Sequence, residues 1–190
     1  MSIQVITPAT AEPLSLTEVK EFLRVDSSDE DATLNIMISA AREMCETYTR
    51  QILMTTTIDE VGDAFPSVNY NSITEYISLS RSPIQSITSV SYLDDAGTTQ
   101  TVASSDYTSD LISQPSRLDP VTSWPTASVE VNAVTIRYVV GYTSASDVPA
   151  PIRQGIMLAI ASMYENRMDG VKRFPTASEY LWNPFRIFTF

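Results

Sequence analysis

The chain has 190 residues and a formal net charge of −11, long enough for one ordinary domain that buries about 70% of its unfolded surface without staples. Its single cysteine, Cys45, rules out an internal disulfide, and the absence of histidine removes the commonest zinc ligand and general base, so structural or catalytic zinc is not expected. The acidic balance lacks the basic footprint of proteins that hold nucleic acid through phosphates; with no basic N-terminal region and no apolar run near about 18 residues, neither signal peptide nor membrane span is expected.

Leu14-Ser15-Leu16-Thr17-Glu18-Val19 opens the first helix. Ser15 is placed as N-cap, Glu18 three residues on completes a capping box, and Leu14 is poised to staple against Val19. This helix is expected to end near Arg24 and to bury Leu16, Val19, Phe22 and Leu23. Asp26 to Asp31 is an acidic turn whose carboxylates suit the start of the next helix. Leu34, Ile38, Ala41, Cys45 and Tyr48 then step by fours and threes, which predicts an amphipathic second helix with Cys45 as a small core residue.

From about Thr55 the texture changes to Ser, Thr and β-branched residues broken by turn formers, which is strand composition. Ile77-Ser78-Leu79 alternates and stops at Ser82-Pro83. Ile87 to Tyr92, the turn Asp94-Asp95-Ala96-Gly97 and Thr98 to Val102 predict a hairpin with glycine at a positive φ. Gln114 to Pro125, with three prolines and a tryptophan, is expected to be loop. Val129 and Val131 sit on one parity and Val134, Ile136, Tyr138 and Val140 on the other, so a bulge or a break is expected near Asn132-Ala133.

Pro149 and Pro151 suit the first turn of a third helix, where an amide proton is not needed. Ile152, Ile156, Ala159, Ile160 and Met163 form its apolar face, and Met168-Asp169-Gly170 is a helix stop. Ser178 is a candidate cap for a short helix through Tyr180, Leu181 and Trp182. The aromatic tail, ending in Pro184, Phe185, Arg186, Phe188 and Phe190, carries too much apolar surface to stay in water and is expected to dock.

The order Glu12-Pro13-Leu14-Ser15-Leu16, Leu23-Arg24-Val25-Asp26, Glu46-Thr47-Tyr48-Thr49, Leu79-Ser80-Arg81-Ser82-Pro83-Ile84-Gln85-Ser86-Ile87-Thr88-Ser89-Val90 and Val148-Pro149-Ala150-Pro151-Ile152-Arg153-Gln154 resembles the head-tail connector (adaptor) proteins of tailed bacteriophages. The likeness covers nearly the whole chain and includes the tail Leu181-Trp182-Asn183-Pro184-Phe185-Arg186. It implies a structural protein of the virion neck, assembled in the host cytoplasm, with no enzymatic role and no cofactor. Such a protein forms a ring of about twelve copies in this family, beneath the portal, and joins the portal protein to a distal neck or tail protein while DNA passes through without being gripped. The partner-binding candidates are Tyr180, Leu181, Trp182, Pro184, Phe185, Arg186, Phe188 and Phe190, aromatic anchors of the kind enriched at interface hot spots; the alternative is that the tail packs on its own domain. Arg153 and Glu165 sit at the wrong ends of the third helix for its macrodipole. They are the inter-subunit candidates, with an intrachain partner such as Asp147 as the alternative for Arg153.

Three other readings compete. Asp94-Asp95, or Glu130 with Asp110, suggests a carboxylate-based enzyme or a calcium site, but the first pair has turn chemistry, and no clustered glycines form a phosphate loop. A β-rich binding module built around Trp124 is the second, and a tail-completion or stopper protein of the same particle the third. The expected fold is α+β: a small helical bundle, from residues 1–54 and the third helix at 143–169, with a β-rich subdomain at 55–142 inserted between the second and third helices, and a docking tail at 170–190.

Overall fold

Four α-helices and two antiparallel sheets make up the computed structural model, which describes residues 1–66, 75–166 and 176–188. In chain order the elements are β1 (Ser2–Thr7), α1 (Leu16–Leu23), α2 (Asp31–Thr49), β2 (Thr56–Gly62), β3 (Ile77–Ser78), β4 (Ile84–Leu93), β5 (Thr99–Val102), β6 (Tyr107–Asp110), β7 (Arg117–Pro120), β8 (Val134–Val140), α3 (Ala150–Glu165) and α4 (Thr176–Trp182). The class is α+β, as the sequence predicts. The chain divides into two units, one from Met1–Pro8 and Thr55–Gly141, the other from Ala9–Met54 and Tyr142–Phe188. The helix stop expected at Met168-Asp169-Gly170 lies outside the described residues.

The helical unit grows from local signals. The Ser15 hydroxyl accepts from the Glu18 amide at 3.2 Å while the Glu18 carboxylate accepts from the Ser15 amide at 2.8 Å, which satisfies two amides that the first turn of α1 leaves unpaired. Val19 is buried, but Phe22 is exposed, contrary to expectation, because it falls to one side of the narrow Leu16, Val19, Leu23 stripe of a two-turn helix. On α2 the stepping stripe Leu34, Ile38, Ala41 and Cys45 is buried and meets Ile152, Ile156, Ala159 and Ile160 of α3 in one core. Burying the leucine and isoleucine side chains of this core stabilises the unit by about 1.5–3 kcal/mol each.

In the β unit the larger sheet has the order β1-β2-β8-β4-β5 and the smaller β3-β7-β6, with every neighbour antiparallel. Val134, Ile136, Tyr138 and Val140 on β8 are buried, alternating with partly exposed neighbours, as period-two patterning requires. Glu60 is buried on that face, and it is paired: its carboxylate accepts from the Tyr138 hydroxyl at 2.7 Å and from the Ser80 hydroxyl and amide at 2.7 and 3.1 Å. On the other face Arg137 makes a bidentate pair with Asp59, both contacts at 2.7 Å.

Three features correct the sequence expectations. Residues 2–7, assigned to the helical part, form β1 on the edge of the larger sheet, because Ile3 and Val5 alternate with polar Gln4 and find β2 to pair with. Residues 117–120, assigned to loop, are β7; Pro115 precedes the strand, Pro120 ends it, and Leu118 within it is buried. Val129 and Val131 are not in a strand: the segment before β8 turns through Asn132 at φ 61° and leaves both valines exposed.

Candidate functional site

The path of α4 decides which residues of the aromatic tail face outward. Trp182 is fully buried. Its indole Nε1 donates to the Ile152 carbonyl of α3 at 3.2 Å, over Gly155; a Cβ at position 155 would stand 2.3 Å from that nitrogen. This close approach is what a glycine inside a helix permits, at some cost to helix propensity. Ser178, expected as a cap, instead lies buried in the first turn of α4 and donates its hydroxyl to the Gly155 carbonyl at 2.8 Å. Beyond α4 the Ile187 amide donates to the Thr49 carbonyl at 2.9 Å, and the Gln51 side-chain amide donates to the Phe185 carbonyl at 2.8 Å. The start of the tail is therefore part of the bundle core, which corrects the expectation for Trp182: its ring is covered by its own subunit.

What remains outward is a smaller patch. Tyr180 is 83% exposed and Phe188 56% exposed. Pro184 and Arg186 are exposed, and Leu181 and Phe185 are half-buried. The Arg186 guanidinium lies 5.4 Å from the Tyr48 ring centre and 5.2 Å from that of Phe188, within cation–π range. That arrangement presents Phe188 on a fixed side of the bundle. Phe190 lies outside the described residues.

Arg153 finds a partner in its own chain. Its guanidinium bonds the Glu18 carboxylate, and its Nε donates to the Pro13 carbonyl at 3.2 Å. The intrachain partner is thus Glu18, not Asp147, which is occupied in accepting from the Ser144 amide at 3.1 Å. Hydrogen bonds from the Ser15 amide and hydroxyl, with the charge of Arg153, hold the Glu18 carboxyl below its usual range. One carboxylate therefore caps α1 and ties it to α3, which offsets the unfavourable place of Arg153 on its helix. Glu165, the other inter-subunit candidate, is exposed at the end of α3.

Of the carboxylates raised as catalytic or calcium candidates, Asp94 and Asp110 are spent on local turns. Asp94 accepts from the Ala96 and Thr98 amides at 2.9 Å each, in a hairpin turn where Gly97 has φ 74°. Asp110 accepts from the Ser113 hydroxyl at 2.7 Å and from two amides. Glu130 is exposed in the loop before β8. Among the described residues no group of three or more acidic or cysteine side chains is arranged to hold a metal ion. Trp124 is stacked on Phe65, with ring centres 5.0 Å apart and planes 1° from parallel, and its indole donates to the Glu75 carbonyl at 2.6 Å. One face of the supposed binding platform is therefore used inside the unit. Burial pushes the Cys45 thiol pKa up, which keeps it protonated and unreactive. Among the described residues no helix is long and apolar enough to cross a membrane.

The sequence of residues 13–115 matches the model of a family described as phage gp6-like head-tail connector protein. No curated protein matches the chain. Among solved structures the fold is similar to a chain in the neck of an empty gene transfer agent particle computed with C6 symmetry, with a TM-score of 0.83, 22% identity, and coverage of all of this chain and 97% of that one. Chains in the virion of the native gene transfer agent particle and in the neck of the native particle computed with C12 symmetry give TM-scores of 0.80 and 0.77, at 22% and 21% identity and the same coverage.

Proposed function

Because the chain belongs to the phage gp6-like head-tail connector family, a family of structural connectors, we propose that it forms a ring of about twelve copies in the neck of a tailed particle, beneath the portal. There it joins the portal to the next neck or tail protein. The observation that carries this reading is the joint one: the family match spans more than half of the chain, and the whole chain shares its fold with neck components of a gene transfer agent particle, one of them computed with C12 symmetry. In this reading residues 55–142 are a β subdomain inserted into a helical bundle, and DNA passes through the ring past a strongly acidic protein that does not grip it.

The portal-docking surface of this proposal is the exposed part of the tail, Tyr180, Pro184, Arg186 and Phe188, with Glu165 as the remaining inter-subunit candidate. Removing the whole tail is a poor test, since Trp182 belongs to the core. Tyr180→Ala and Phe188→Ala are expected to keep the fold and to weaken attachment to portal-bearing heads by about 2 kcal/mol each if they are hot spots. Negative-stain imaging with and without portal tests the ring. Discrete rings on the portal are expected; attachment of single, unassociated copies would overturn it.

A further inference from the structure

The larger sheet ends in two edges, β1 and β5, and among the described residues no strand pairs with the outer side of either. Both edges are bare in side-chain terms as well. β1 reads Ser-Ile-Gln-Val-Ile-Thr with all six residues exposed, and β5 reads Thr-Gln-Thr-Val with its first three exposed. Proteins usually blunt an exposed edge with charge, proline, a bulge, a short strand or a covering element. Here neither strand holds a charged residue or a proline, although the chain carries 23 acidic and 12 basic residues. Ile3 and Val5 stand opposite Glu60 and Ile58, on the parity that is buried in β2, yet they remain 37% and 54% exposed. The inner face of the sheet thus runs past its cover at the β1 edge.

We propose that β1 of one copy pairs with β5 of the next, so that the larger sheet continues from subunit to subunit. This rests on the ring reading above and names its contact. Two arguments select a second copy of this chain as the occupant. Copies that each carry −11 repel, so they approach most cheaply where the surface is uncharged, and both edges are. A ring also needs two different, complementary patches on each subunit, and a single open sheet supplies such a pair in its two ends. Every neighbour in the sheet is antiparallel and the strands are five in number, so β1 and β5 run the same way. Copies related by a small rotation therefore meet as parallel strands. Register shifts in β1, at one edge, and in β4, next to the other, bend the sheet near both ends, which lets a twisted sheet follow a curve.

The test uses Ser2→Cys combined with Thr101→Cys. These positions share one face and one level of the sheet, since Ser2 opposes Val61, Val61 opposes Thr135, Thr135 opposes Ser91 and Ser91 opposes Thr101. Within one subunit they are four strand spacings apart, about 19 Å, too far for a disulfide, which needs Cα atoms within about 7 Å. Native Cys45 is buried and stays out of the reaction. Assembled particles carrying the double variant are oxidised and run on a denaturing gel, beside each single variant, and the same particles are imaged. A ladder of covalent multimers past the trimer, seen only with the double variant, is expected. Rings by imaging without a ladder would overturn the edge pairing and leave the ring standing. Dimers from Ser2→Cys alone would also overturn it, in favour of a two-fold β1 contact, and particles without rings would remove the ring reading itself.

Discussion

The two units differ in what each encloses, although both leave some apolar side chains outside. The helical unit folds its largest aromatic inward, with Trp182 seated against α3 and the Ile187 amide of the tail bonded to the end of α2. The β unit buries a charged residue, Glu60, and leaves Ile3, Val5, Ile112, Val121, Val129 and Val131 outside. Core closure and surface availability are thus separable here. A residue's hydrophobicity does not tell which purpose it serves; its neighbours do.

The sharpest way to break this contrast is Trp182→Ala. If the tail is core, emptying that site costs about 3–5 kcal/mol of stability in denaturant unfolding; a loss below about 1 kcal/mol would return the tail to the surface. Tyr138→Phe is the matching test in the β unit. It removes one donor from buried Glu60, so a loss of about 1–3 kcal/mol is expected. The tyrosine also gives this unit an alkaline limit. Burial and the nearby Glu60 charge raise the Tyr138 pKa, so its contribution is present below the unfolded value of about 10 and is lost as pH rises beyond it. The phenylalanine variant should flatten that part of a melting-temperature profile.

Smaller effects refine the comparison. The folded-state pKa of Glu18 is depressed, so its contribution is present above the unfolded value and lost as pH falls through the folded one. Since the Arg153 pair is partly exposed, Glu18→Gln is expected to cost only about 0.5 kcal/mol at neutral pH, and to blunt the fall in melting temperature between neutral and acid pH. Least of all, Val129→Ser with Val131→Ser should change stability by no more than about 0.5 kcal/mol, because neither side chain is buried. A larger loss would mean that this loop supports its own unit.

Legibility in the sequence tracked the range of the interactions. The capping box at Ser15 and Glu18 spans three residues, and the α2 stripe from Leu34 to Cys45 is one helix reading its own period; both were plain. The hairpin around Gly97 was plain for the same reason. The seat of Trp182 was not, since it depends on Gly155, 27 positions earlier. A lone glycine among the good helix formers of α3 was the available signal for a close approach. β1 was hidden because Ile6 breaks its alternation and its partner lies beyond two helices. Prolines on both sides of Leu118 masked β7. Of the site, Arg153 was flagged by its place on the helix, but its partner Glu18 lay 135 residues away and was already committed to a cap.

The chain has two tryptophans, and the division into units gives one to each: Trp182 enclosed in the helical core with the Tyr48 ring 6.1 Å away, Trp124 stacked on Phe65. Each half of the molecule therefore carries a native fluorophore in a distinct setting. Replacing either one by phenylalanine leaves the other as a single-wavelength reporter, so that melting of the bundle and melting of the sheets can be followed separately, without an added dye, in the free protein and again after it joins a particle.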